Sequence, residues 1–181
     1  MKYLFLDLET TGLDPKKDFI LEVACVALDH KFDIIEGFSR VINRSNYQLE
    51  KMGDYVHKMH TENNLLNEIP NGDPEHRIIV DIEDFISKYW NEQLATNKQS
   101  NYPILAGNSI HFDRSFIKYH WPSIDRMLNY RMFDVSSIKI LFENYYGISS
   151  GKKNAHRALP DVMESIEELR FYLKHINLPS I

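Results

Sequence analysis

Asp7 and Glu9 stand two positions apart in YLFLDLETTGLD, residues 3–14, where an apolar run with the marks of a buried strand takes on acids. A β-strand turns alternate side chains to opposite faces, so the two carboxyls share one face. Side by side they repel, and burial adds a desolvation cost; a buried pair persists only if one acid is protonated or a cation lies between them. The plainer alternative is a strand end opening into a loop, with both acids in water. Three later segments set polar groups where core elements should begin or end. GNSIHFD carries Asp113, YRMFDVSS carries Tyr130, Arg131, Asp134, Ser136 and Ser137, and HRALPD carries His156 and Asp161. Ligands of open α/β sheets gather where strands end and helices begin, so these segments are expected to converge on the end of the opening strand.

Asp7, Glu9, Asp113 and Asp161 together offer oxygen ligands, the donor set of Mg²⁺ or Mn²⁺, with few nitrogens and no thiolate of the kind Zn²⁺ favours. Two such ions about 3.5 to 4 Å apart can clamp the attacking and leaving oxygens of a phosphodiester displacement. Histidine, the side chain whose ordinary pKa of about 6.5 lies nearest neutrality, is the residue type suited to take the proton of the attacking water, and His156 is the candidate. Five helical residues turn through about 140°, which would point His156 and Asp161 well apart if both were helical. Pro160 is tolerated in the first turn of a helix and not in its interior, so the last helix is expected to start at or after His156. His156 then lies on the approach, able to face whatever Asp161 binds.

The elements that must position these groups follow from pattern. Strands are expected over residues 3–8, 19–28 and 34–42, separated by the turn-rich GLDPKKD and DHKFD, an N-terminal antiparallel meander. Thr61 is placed to cap a short helix reaching Ile69, and Ile78, Ile82, Phe85, Ile86 and Tyr89 recur at helical spacing within residues 74–95. PILAGN reads as a buried strand, 114–120 as a short helix stopped by Pro122, 130–134 as a strand and 135–146 as a helix. Residues 159–176 form the last helix, with Val162, Ile166, Leu169, Phe171, Tyr172 and Leu173 on a broad apolar face. Strands first and alternating helices later imply a mixed sheet flanked by helices, an α/β fold in a single domain over residues 1–181. The composition, 43% hydrophobic and 26% charged, is that of an ordinary globular chain. No apolar run approaches the roughly 20 residues of a membrane span and no secretory leader pattern opens the sequence, so a cytoplasmic protein without a membrane partner is expected. Cys25, in ILEVACVAL, is expected in the core. The net charge of -5 argues against gripping long nucleic acid through many phosphates, but not against a short or cation-bridged one.

DLETTGL, NSIHFD and H-x-x-x-x-D, in this order, resemble the motifs of the DEDDh exonucleases, a family with the ribonuclease H-like fold. The resemblance covers almost the whole chain. Through LDLETTGLDPKKDFILEVA, MGDYVHKMHTENNL, GNSIHFDRSFI and YRMFDVSSIKIL it is nearest to members that act on very short RNAs. It implies a 3′-to-5′ exoribonuclease that hydrolyses short single-stranded RNA oligonucleotides, down to dinucleotides, to 5′-mononucleotides with two divalent ions. Asp7, Glu9 and Asp161 would hold the metals, Asp113 would complete the shell directly or through water, and His156 would be the general base. For substrate, the resemblance implies Leu13 as a wedge between two bases and Tyr55 as a stacking platform where tryptophan is commoner, with His60 nearby. Ser109, Arg131, Ser136 and Ser137 would cap the 5′ phosphate. A homodimer is also implied, in which Tyr130 and Arg131 reach the neighbouring site.

Physics accommodates this assignment. A dinucleotide has too few phosphates for counterion release to dominate, whereas stacking contributes roughly 1 to 3 kcal/mol per base, so an acidic protein can hold it. Ser136 and Ser137 could instead only cap the helix near Val135. His111 replaces a small residue of the nearest members, Pro160 replaces an acid, and Thr10 stands where methionine is usual. These departures bear on substrate length, and the alternative is a related exonuclease trimming longer RNA or single-stranded DNA 3′ ends. A non-catalytic nucleic-acid-binding module would have no use for a general base.

Overall fold

The computed structural model describes residues 3–151 and 156–176. The aliphatic runs form β1 (Tyr3–Thr10), β2 (Ile20–Leu28) and β3 (Ile34–Val41), an antiparallel meander, followed later by β4 (Ile104–Gly107) and β5 (Met132–Asp134). They make one five-stranded mixed sheet of order β3-β2-β1-β4-β5, in which β1, β4 and β5 run parallel. Around it lie α1 (Asn46–Leu49), α2 (Asp54–Glu62), α3 (Leu65–Glu68), α4 (Glu75–Ala95), α5 (His111–His120), α6 (Pro122–Arg126), α7 (Val135–Leu141) and α8 (Ala158–Leu173). The expected α/β class is therefore observed.

Alternation along β1 sorts its side chains between two cores. Leu4, Leu6 and Leu8 pack with Ile78, Ile82, Phe85 and Ile86 of α4 and with Phe116 and Ile117 of α5. Phe5 faces the other way, onto Ala158, Val162, Ile166 and Leu169 of α8. Asp7 and Glu9 share the parity of Phe5 and so extend toward the α8 side. Both sheet faces are covered, which is why every residue of β2, Cys25 included, is buried.

Several expectations need correction. Thr61 does not cap a helix: it lies inside α2, where its hydroxyl donates to the His57 carbonyl at 2.7 Å, and the next helix starts after Asn64, a left-handed residue at φ 68°. The helix expected over 135–146 keeps α-helical form only to Leu141 and widens into a π turn at Phe142–Tyr146. Its N-cap is Asp134, whose carboxylate accepts the Ser136 N–H, so the two serines are not the cap. The last helix begins at Ala158, putting Pro160 in the first turn where its ring is tolerated. Among the described residues, no helix is long and apolar enough to cross a membrane.

Candidate active site

The site begins where β1 outruns its parallel neighbour. Their register ends at Phe5 opposite Ala106, and beyond it the Leu8 N–H donates instead to Asp113 Oδ1 at 3.0 Å. On the other side, Glu9 sits directly across from Glu22 of β2, and a bulge follows at once, pairing Thr10 with Ile20 and leaving Leu21 as the extra residue. Thr11 and the loop after it are held by Asp18, which accepts from the Thr11 hydroxyl at 3.2 Å and the Asp14 N–H at 2.9 Å. Gly12 permits this closure, since a Cβ there would lie 2.5 Å from the Asp18 carboxylate. The loop lifts Leu13 into solvent, 81% exposed.

Carboxylate oxygens of Asp7, Glu9 and Asp161 all lie within 4.8 Å of one another. Burial, then the charges of Asp161 and Glu22, push the Glu9 carboxyl up to about 8 against the relief supplied by Arg157, with Asp113 adding to the rise. Asp113 stands outside that triangle. It is buried, with one oxygen engaged by Leu8, and burial raises it to about 7. His60 adds no positive charge to the cluster. It is fully buried, 3.9 Å from Glu9 Oε2, and burial lowers its pKa; its Nε2 donates to the Thr10 carbonyl at 3.1 Å and its Nδ1 has no partner among the described residues. Three acids on a rigid strand and a helix first turn, offering only oxygen donors and crowded enough that burial and the Asp161 charge raise Glu9, fit a hard divalent cation.

Alongside the acids runs a groove of about 280 Å³ lined by Leu8, Glu9, Thr10, Gly12, Leu13, Tyr55, Val56, Met59 and Phe112. Leu13 and Tyr55, both far from buried, are thus brought to one rim. His60 is not part of this open surface; it supports Glu9 and Thr10 from beneath. Ser109, left-handed at φ 51°, donates its N–H toward Asp134 Oδ1 and Ser136 Oγ, and the two serine hydroxyls lie 3.4 Å apart. Among the described residues no hydrogen bond joins Arg131 or Ser137 to that pair. The Arg131 guanidinium instead lies over the Tyr130 ring, 5.3 Å from its centroid, with both residues exposed. His111, which is exposed, comes within 3.8 Å of Asp134 Oδ2.

The residues that hold this assembly are not among those the motifs single out. Glu22, an acid within the otherwise apolar ILEVACVAL, carried the same signal as Asp7 and Glu9. It is paired with Arg157, which also grips Glu68. Met59, Val56 and Phe112 gave no signal beyond core-like hydrophobicity.

The fold resembles solved exonucleases: E. coli exonuclease I in a zinc-bound complex with single-stranded DNA aligns over 97% of this chain with a TM-score of 0.66 at 14% identity. The exonuclease I of Methylocaldum szegediense aligns over 92% with a TM-score of 0.63 at 18% identity. The chain spans only 41% and 39% of those proteins. An exonuclease family profile matches residues 4–169, so the class is an exonuclease, on the ribonuclease H-like fold that the sheet order shares with those structures. Oligoribonucleases of Tropheryma whipplei and Actinobacillus pleuropneumoniae are each 38% identical, over 95% and 97% of this chain and 91% and 94% of their own. The chain belongs to the oligoribonuclease family, and it is a nuclease of the hydrolase class.

Proposed function

We propose that this protein is a 3′-to-5′ exoribonuclease that degrades short single-stranded oligoribonucleotides, down to dinucleotides, to 5′-mononucleotides. The observation that carries the reading is the triangle of Asp7, Glu9 and Asp161 beside a groove rimmed by Leu13 and Tyr55. Asp7, Glu9 and Asp161 hold two divalent ions, Mg²⁺ or Mn²⁺, with Asp113 supporting the shell directly or through water. When bound, such ions neutralise the scissile phosphate and make water a better nucleophile. His156 accepts the proton of the attacking water. Leu13 and Tyr55 hold the two terminal bases, and Phe112 and Met59 give the groove its apolar floor. Ser109, Ser136, Ser137 and Arg131 receive the 5′ phosphate, which sets the preference for short chains.

The protein works as a cytoplasmic homodimer of single-domain subunits, residues 1–181. Exposed Met132, Ile140, Leu141, Tyr145 and Tyr146 cluster in sequence on β5, α7 and the turn after it, beside Tyr130 and Arg131, an apolar surface suited to a second copy. A length series tests the function: RNAs of two to about ten nucleotides with Mn²⁺ or Mg²⁺, beside DNA counterparts. Dinucleotides should be cleaved fastest. Equal rates on long single-stranded DNA and on dinucleotides would favour the alternative of an exonuclease trimming longer 3′ ends.

A further inference from the structure

The group assigned as general base sits on a backbone that does not hold itself. His156 is at φ 51°, the left-handed region that costs an L-residue free energy, so neighbouring contacts must impose it. Those contacts come from one network. The Asn63 side-chain amide donates to the His156 carbonyl, while Asn63 Oδ1 accepts the Leu65 N–H at 3.0 Å. The next residue, Arg157, forms a two-pronged pair with Glu22 at 3.0 and 3.1 Å and another with Glu68 at 2.9 and 2.7 Å, and its Nη1 lies 3.4 Å from the Asn63 carbonyl. Glu22, 3% exposed, also accepts the Ala158 N–H at 3.1 Å, which satisfies a donor of the first turn of α8.

The connections have a direction. Asn63 is the C-cap of α2, the helix that carries Tyr55, Val56 and Met59 to the groove, and Glu22 stands on β2 opposite Glu9. We propose that Arg157 and Asn63 are positioning residues: they lock His156 into its left-handed conformation and tie it to both the carboxylate strand pair and the helix bearing the base groove. A guanidinium is needed because two carboxylates must be met in one plane by parallel N–H pairs, which an ammonium cannot do. The inference rests on the general-base reading of His156.

The test uses the full chain and a 5′-phosphorylated RNA dinucleotide with Mn²⁺. Asn63→Asp is nearly isosteric, keeps the acceptor for Leu65 and replaces the donor to His156 with a charged oxygen that repels its carbonyl; Arg157→Lys keeps the charge and loses the fork. Both should lower kcat about 10- to 100-fold, as displacement of a reacting group by about 1 Å does, with KM and calorimetric Mn²⁺ affinity changed less than about threefold. The shape of the pH profile should change as well. Log kcat should keep rising from pH 7 to 9, as in His156→Ala, instead of levelling, whereas partial unfolding would only scale the curve. Each variant combined with His156→Ala should be no slower than His156→Ala alone. Normal turnover by Asn63→Asp, or losses that multiply with His156→Ala, would overturn the positioning role. Normal turnover by His156→Ala would instead overturn the general-base reading beneath it.

Discussion

Glu9→Gln separates the electrostatics of the acid cluster from its chemistry. In the metal-free protein the Glu9 carboxyl is raised from 4.5 to about 8, by burial first and then by Asp161 and Glu22. A folded-state value above the unfolded one means that the native protein binds the extra proton. The stabilising contribution is therefore complete below pH 4.5 and is lost as pH rises toward 8. Linkage sets the slope at about 1.4 kcal/mol per pH unit, so by pH 8 the metal-free protein has lost about 4 kcal/mol that Glu9→Gln retains. For a chain of this size that difference is about 8 to 16 °C in midpoint temperature. Asp113, raised to about 7 by burial, acts in the same sense but finishes earlier. The Glu9→Gln curve should thus flatten above pH 7 while the native one still falls. Thermal melts from pH 5 to 9 in chelator, then with Mn²⁺, provide the assay. The cation should restore the native protein at pH 8 and do much less for Glu9→Gln. Parallel pH curves for the two proteins, or equal stabilisation of both by Mn²⁺, would refute the account.

Asp7→Ala should abolish hydrolysis without unfolding the chain, read by product formation beside circular dichroism; an active variant would refute the metal assignment. His156→Ala should cost about 10² to 10⁴ in turnover at neutral pH. Tyr55→Ala, at a site 75% exposed, should leave the melting midpoint nearly unchanged and raise the KM for a dinucleotide about 5- to 150-fold, the equivalent of about 1 to 3 kcal/mol of stacking. Ile140→Asp should convert the proposed dimer to monomer in sedimentation while the subunit stays folded, since the side chain is exposed.

The carboxylate strand was legible because its signal is a conflict: acids on a core-forming run need a partner, and parity alone put Asp7 and Glu9 on one face. The last helix was legible because Pro160 restricts where a helix can start. Residues 43–73 were not, because short helices ended by left-handed residues such as Asn64 leave little periodicity, and Thr61 carries a cap's chemistry without a cap's position. Arg157 escaped notice for a different reason. Its partners lie 89 and 135 positions away, and no local spacing announces a guanidinium shared by two distant acids. His60 was expected near substrate on family resemblance, and only packing reveals that it is buried under Glu9.

The two-residue parity of β1 also limits how this lineage can change length. Deleting or inserting one residue within positions 3–6 would swing Asp7 and Glu9 into the leucine core on the α4 and α5 face and turn leucines toward Asp161, a loss that no single substitution could repair. The loop past Gly12, tied to the strand end by Asp18, bears no such constraint beyond its anchor. Residues 13–17 can therefore be reshaped, and with them the base contacts proposed for Leu13, while the strand that carries the acids keeps its length.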